Sequence, residues 1–257
     1  MTMPVEIVTV PCLSDNYAFV VHDDATGETA VVDVPEAAPI AAILKQREWT
    51  LSQVWLTHHH WDHVDGLAEL LADHPARVVG AKADAHRLPP LDHAVTPGDT
   101  FDFAGHAVHV IDVPGHTVGH IALHLPDADA VFTADSLMAL GCGRLFEGTA
   151  DQMWGSMQRL MALPRDTVVY SGHEYTAANA RFALTIDPEN SALISRSQDI
   201  EAARAAQTPT VPSTLALELE TNPFLRAADP HIRAHLGLAD ASDAQVFAEI
   251  RARKDAF

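Results

Sequence analysis

Cysteine is nearly absent from this chain. Cys12 and Cys142 are the only two in 257 residues, and they stand too far apart in sequence to suggest a disulfide framework. A reducing compartment, the cytoplasm, is therefore expected. Basic residues are also scarce: 16 Lys and Arg face 35 Asp and Glu, leaving a formal net charge of -19 at pH 7. That balance argues against nucleic acid and anionic membrane surfaces as partners, because both are bound largely through Lys and Arg. No apolar run approaches the roughly eighteen residues of a membrane span. No Lys or Arg precedes Lys45, so neither the basic start of a secretory leader nor an Arg-rich transit peptide is expected. There is no internal repeat and no low-complexity linker. What remains, 47% apolar and 20% charged, is the composition of a soluble globular protein long enough to bury a full core.

Histidine, by contrast, is concentrated. Four of the 16 histidines fall in the run Thr57-His58-His59-His60-Trp61-Asp62-His63, directly after the apolar Val54-Trp55-Leu56 of an expected buried strand. Neutral imidazole is the commonest protein ligand for zinc and related metals, and carboxylates join it readily. Alternate residues of an extended segment share a face, so His58 and His60 can point together while His59 turns away. Asp62 and His63, at the entry to a helix suggested by Gly66–Leu71, can serve a second position. An affinity tag would be terminal and uninterrupted, which this run is not. Further candidates, His116, Asp135 and His173, also follow β runs, where loops on a rigid scaffold carry functional groups. His22, His74, His86, His93, His106, His109, His120 and His124 read as structural and stay outside the site.

In chain order, short β-branched runs at Val5–Val10, Tyr17–Val21 and Thr29–Val34 open the molecule, followed by an alanine-rich helix over Ala37–Glu48. Strands are expected at Arg77–Ala81, Ala107–Asp112, His120–Leu125, Ala130–Thr133 and Thr167–Tyr170, with a helix over Asp151–Leu163. Beyond His173 the texture becomes helical, at Tyr175–Leu184, Asn190–Gln207 and Asp243–Lys254, with Leu215–Leu219 ambiguous. The expected division is therefore a mixed α/β domain over residues 1–173 and a smaller, mostly helical domain over 174–257.

The His58–His63 run with Gly115-His116, Asp135 and Gly172-His173 resembles the metallo-β-lactamase superfamily, which implies an α/β fold of the αββα sandwich type with a binuclear site. Segments such as Ser14-Asp15-Asn16-Tyr17, Gly141-Cys142-Gly143-Arg144, Gly172-His173-Glu174-Tyr175-Thr176, Asn222-Pro223-Phe224 and the carboxy-terminal Arg251 to Phe257 resemble glyoxalase II, the hydroxyacylglutathione hydrolases. Carried over residue by residue, the resemblance implies that His58, His60 and His116 hold one metal and Asp62, His63 and His173 the other, with Asp135 bridging. Asp62 and Asp135 would be the catalytic carboxylates. Arg144, Phe146, Tyr175, Arg251 and Lys254 would line the glutathione site. Two divalent ions per chain, zinc with iron or manganese as alternatives, are implied. The implied reaction is hydrolysis of S-(2-hydroxyacyl)glutathione thioesters by a hydroxide bridging the metals, typically S-D-lactoylglutathione to D-lactate and glutathione, as in methylglyoxal detoxification. The expected partner is this small molecule alone, and the expected state a monomer.

Such chemistry needs no Ser or Cys nucleophile, and Cys142, between two glycines, reads as structural. A persulfide dioxygenase is the enzymatic rival on the same scaffold, expected to use one iron and to lack the helical extension; an inactive metal-binding scaffold and a lactonase or β-lactamase are the others. Arg251 and Lys254, three apart on a helix, are expected to share one face and anchor a substrate carboxylate, so that their loss raises KM and spares kcat. Asp33-Val34 replaces a common Asp-Pro and Asp65 a common glycine, departures expected to be local to the backbone. Phe146 stands where many relatives carry tyrosine. If that hydroxyl meets the substrate, Phe146→Tyr adds a hydrogen bond of about 0.5 to 1.5 kcal/mol and lowers KM by roughly twofold to tenfold. An unchanged or raised KM in steady-state assays would show that another group already serves the substrate or that the ring matters only for packing.

Overall fold

The computed structural model describes residues 5–257. The chain divides into two compact units, one running to Asp112 and taking in Gly119–Thr133, the other comprising Val113–Val118 and Ala134–Phe257.

In the first unit, β1 (Val5–Cys12), β2 (Asn16–Asp23) and β3 (Glu28–Val32) form an antiparallel meander. Helix α1 (Ala37–Arg47) then crosses over to β4 (Thr50–Leu56), which runs parallel to β3. Pro39 sits in the first turn of α1, where its missing N–H costs no helical bond. Ala37, Ile40 and Leu44 are its buried stripe, and Glu48 ends the helix in the left-handed region at φ 57°. A single turn, α2 (Trp61–Val64), and α3 (Leu67–Asp73) lead to β5 (Arg77–Ala81) and the short β6 (His93–Val95), both parallel to their neighbours. The sheet order is β1-β2-β3-β4-β5-β6. Helix α1 packs on α3 and β1.

The antiparallel run β7 (Thr100–Phe103), β8 (His106–Asp112), β9 (Ile121–Leu125) and β10 (Ala130–Ala134) faces this sheet through aromatic rings. Trp55 of β4 is fully buried and lies edge-on to Phe101 at 5.5 Å, Phe103 at 5.3 Å and Phe132 at 6.2 Å. Its indole N–H donates to Gln53 (2.9 Å), whose amide in turn donates to the Asp102 carbonyl (3.1 Å). The polar edge of a large ring is thus satisfied inside an apolar layer, close to the residues that follow β4.

The second unit contains a tight hairpin, β11 (Leu137–Met138) and β12 (Gly141–Cys142), then α4 (Ala150–Met161), capped by a Thr149/Gln152 capping box. Strand β13 (Val168–Ser171) is followed by α5 (Thr176–Ile186), α6 (Ser191–Ala205), β14 (Ser213–Thr214), α7 (Leu215–Thr221), α8 (Pro230–Leu236) and α9 (Asp243–Ala256). Phe182, Phe224, Phe247 and Trp154 pack in a row through its interior, Phe182 stacked on Phe224 and Phe224 edge-on to Phe247.

Several elements differ from the sequence reading. The ambiguous Leu215–Leu219 is helical, because Thr214 caps it by accepting the Leu217 N–H. Helix α8 was not expected, although Asp229, Pro230 and Gly237 supply its cap, first turn and stop. Strand β4 ends at Leu56, so His58 lies in the loop beyond it. Among the described residues, no helix is long and apolar enough to cross a membrane.

His106, read as structural, is held between two carboxylates, Asp127 (2.8 Å) and Asp23 (3.1 Å). The bond to Asp127 outweighs partial burial and raises its pKa above 6.5. A raised folded pKa means that this bridge stabilises fully below the unfolded value of about 6.5 and is lost as pH rises through the folded pKa. The Tm advantage of the native chain over His106→Gln should accordingly be largest near about pH 6 and shrink towards about pH 9. A constant difference across a thermal-denaturation pH series would show that the bridge does not titrate.

Candidate metal centre

Within the first unit the loop after β4 is organised by Asp33, which follows β3 at φ 56°. Its carboxylate accepts the Thr57 N–H (2.9 Å), the Thr57 hydroxyl (2.8 Å) and Nδ1 of His63 (2.8 Å). A carboxylate accepts only, so His63 carries its proton on Nδ1 and keeps Nε2 as its lone-pair nitrogen. The Thr57 hydroxyl, having donated to Asp33, has lone pairs facing Nδ1 of His58 at 3.0 Å. The same tautomer follows for His58. Its Nε2 lies 3.2 Å from Nδ1 of His60. Two nitrogens bound to one tetrahedral ion at about 2.0 to 2.1 Å stand about 3.3 Å apart, so this spacing suits a shared ion. The ligand atoms of Asp33, His58 and His63 all lie within 4.8 Å of one another.

His59 turns the other way, onto Asp84 (2.9 Å). A side chain at Gly119 would collide with that carboxylate, at 2.3 to 2.8 Å, so glycine there leaves room for it. The one-turn α2 presents Asp62, which takes a hydrogen bond from Asn16 to its carboxylate (3.2 Å) and another to its carbonyl (2.9 Å). His120 stacks on His58 with centroids 4.5 Å apart and planes 13° from parallel. It packs against that ring.

The second unit holds the other candidates. Asp135, buried, follows β10, and its Oδ2 lies 3.3 Å from Nε2 of His116 while Oδ1 lies 3.3 Å from Nε2 of His173. His116 donates from Nδ1 to the Arg144 carbonyl (2.9 Å), which fixes Nε2 as its lone-pair nitrogen. The loop bearing His116 is zipped to the segment after Arg144: Phe146 N–H to His116 O (3.3 Å), Gly148 N–H to Gly115 O (3.0 Å) and Val118 N–H to the Glu147 carboxylate (2.9 Å). At Gly115, φ is 148° and an added Cβ would lie 2.7 Å from Met153, so glycine is required twice over.

Exposed rings flank these candidates. Tyr175 stacks on His173 at 4.7 Å, and Phe146 tilts against His116 at 5.2 Å. Arg144 is exposed. Lys254 lies between the Phe182 and Phe257 rings, 5.1 and 5.2 Å away, and its pKa is pushed down to about 8 by burial and by Arg251, Arg181 and Arg144. Arg251 is buried, donating to the Cys142 carbonyl (2.9 Å) and to Asp255 (2.8 Å). Cys142 is buried too, and burial raises its thiol to about 11, well away from nucleophilic use at neutral pH.

Sequence reasoning missed Asn16 and Arg181 as neighbours of the expected residues, and it confined Asp33 to a backbone effect. For Asp33→Ala we expect metal affinity to fall about tenfold to a hundredfold, the usual consequence of losing a partner that orients a ligand. Chelator competition measures it, and native affinity in the variant would leave Asp33 a role in loop folding only.

Comparison with known proteins adds three kinds of likeness. The family model described as the metallo-beta-lactamase superfamily matches residues 13–173, and that described as the hydroxyacylglutathione hydrolase C-terminus matches residues 174–257. A hydroxyacylglutathione hydrolase of Roseobacter denitrificans is 72% identical over 255 residues, covering 99% of this chain and 100% of the relative. Among solved structures, ETHE1 from Myxococcus xanthus superposes with a TM-score of 0.67 at 24% identity over 96% of this chain and 90% of that one. TTHA1623 in a di-iron-bound form superposes with a TM-score of 0.62 at 23% identity, over 86% of this chain and 100% of that one. The structural likenesses show an α/β fold of the metallo-beta-lactamase type.

Proposed function

The chain belongs to the hydroxyacylglutathione hydrolase family of the metallo-beta-lactamase superfamily, and on that premise we propose that it hydrolyses S-(2-hydroxyacyl)glutathione thioesters at a centre of two divalent metal ions. We assign S-D-lactoylglutathione as substrate, zinc as the metal, methylglyoxal removal as the setting, and a cytoplasmic monomer as the working state. The two buried, unbridged thiols suit a reducing compartment.

The observation that carries the reading is the Asp135 carboxylate, whose two oxygens face two different histidines at 3.3 Å each. A carboxylate so placed can give one oxygen to each of two ions. We assign His58, His60 and His116 to one ion and Asp62, His63 and His173 to the other, as the family resemblance implies. The donors are imidazole nitrogen and carboxylate oxygen, a borderline set that suits zinc, iron and manganese alike. When bound, two such ions supply an acidified water, a polarised carbonyl and stabilisation of the leaving thiolate. The chain's own part is to hold His58, His63 and His116 in the ligating tautomer, to keep Asp62 oriented through Asn16, and to exclude Cys142 from the chemistry.

For the glutathione part, Arg144 and Lys254 would meet the substrate's carboxylates, with Phe146 and Tyr175 as walls and Arg251 supporting from beneath. The crowding of three arginines on Lys254 supports an anion there.

The test is a thioester-absorbance assay on fully metallated protein with S-D-lactoylglutathione, run beside oxygen uptake with glutathione persulfide. Thioester loss, two ions per chain by elemental analysis, and a drop in turnover of at least about a hundredfold in Asp135→Asn are expected. One tightly held iron with oxygen-dependent activity would instead point to a dioxygenase.

A further inference from the structure

The turn between Asp135 and Arg144 is buried along its length from Leu137 to Gly143, yet its own ladder pairs only Leu137 with Cys142 and Met138 with Gly141. Buried backbone groups need partners, and here the partners are side chains from the helices that follow. Asn179 of α5 donates to Ala139 O (3.0 Å). Asn222, at the end of α7, donates to Met138 O and Gly141 O (3.1 Å each). Glu218 of α7 accepts the Leu140 N–H (2.9 Å), and Arg251 of α9 donates to Cys142 O (2.9 Å). These residues lie between 40 and 109 positions further along the chain than the groups they bind.

Every residue from Met138 to Cys142 is therefore bound by a side chain of the helical region, and Leu140 is held at φ 55°, where a non-glycine residue is strained. Gly141 admits the Asn179 amide, which would stand 2.6 Å from a Cβ at that position. Glu218 is itself fixed by an ion pair with Arg196 and by the Ser213 hydroxyl (2.6 Å). Both ends of the turn lead to ligands. Gly143 donates to Ser136 O (3.0 Å) and packs so tightly on the Asp135 carbonyl that a Cβ would lie 1.9 Å from it. The next residue, Arg144, offers the carbonyl that fixes the His116 tautomer.

We propose that Asn179, Glu218, Asn222 and Arg251 are positioning residues of the metal centre: by clamping the 138–142 backbone, they set where Asp135 and His116 present their ligand atoms. The helical region then serves the metals as well as the substrate. This rests on the assignment of Asp135 and His116 as ligands.

The experiment compares native protein with Asn179→Ala, Asn222→Ala and, as a control, Asp229→Ala, which removes the cap of α8, a helix that supplies none of the bonds to the turn named above. Metal retention is read by chelator competition, with Tm and kcat measured alongside. Asn179→Ala and Asn222→Ala should weaken retention about tenfold or more and lower kcat, whereas Asp229→Ala should lower Tm alone. Arg251→Ala should lower kcat as well as raise KM, unlike a pure carboxylate anchor. Native metal retention in both Asn179→Ala and Asn222→Ala at reduced Tm overturns the proposal. Should Asn222→Ala fail to fold, Asn179→Ala, which deletes a single bond to the turn, decides alone. Asp135→Asn is the reference: if it too keeps both ions at native affinity, the ligand assignment has failed rather than the clamp.

Discussion

A ligating imidazole must offer one lone-pair nitrogen, and it does so reliably only when its other nitrogen is committed as a donor. In the first unit that commitment converges on Asp33. The carboxylate takes Nδ1–H of His63 directly and reaches His58 through the Thr57 hydroxyl, so one buried anion fixes two rings. It also takes the Thr57 N–H, tying the same anion to the backbone that leaves β4. The bond from Val34 N–H to the His63 carbonyl then closes the loop against α2. Removing Asp33 would release rings and backbone together, and for that reason its left-handed φ is tolerated there.

The second unit meets the same requirement with backbone. His116 commits Nδ1 to the Arg144 carbonyl, and a carbonyl is only as well placed as the turn that carries it. That turn is buried and too short to satisfy itself, so polar side chains from α5, α7 and α9 do so. Apolar packing of equal area would bury the turn without fixing its register, because dispersion and the hydrophobic effect are nearly indifferent to direction, whereas hydrogen bonds are not. The apolar contacts of the helical region, such as Leu140 against Ala180, Ala183, Leu193 and Ile200, add stability beneath that polar frame.

Much of this was legible in the sequence. Strand-sized β-branched runs, the spacing of His58 and His60, and the position of candidate ligands after strands follow from periodicities that the backbone imposes. Helix α8 was legible too, in Asp229, Pro230 and Gly237, but at seven residues it is too short to show a period. Strands β6 and β7 escaped for the same reason, at three and four residues. Asp33 could not be recognised as a partner of His58 and His63, because 30 positions separate it from His63 and no local pattern marks such a bond. Arg251 shows the limit from the other side. Its spacing from Lys254 gave a shared helical face, but nothing local to α9 reveals that the Cys142 carbonyl waits 109 residues away.

Electrostatics resolves how an anionic substrate could suit a chain with a formal charge of -19. Charges beyond about 10 Å are largely screened at 0.1 M salt, so the charges beside a bound anion govern its binding more than the total does. Burial and three arginines lower its pKa to about 8, so the protonated lysine there is held against repulsion that only part of the surroundings offsets. Asp255 pairs with Arg251, and the faces of Phe182 and Phe257 favour the ammonium. A bound carboxylate would relieve the remaining repulsion and draw the pKa back up. Anion binding at this place therefore takes up a proton when the pH is near or above about 8, and it weakens as pH climbs further, since the free site increasingly holds neutral lysine. Lys254 is therefore the group whose charge follows the ligand.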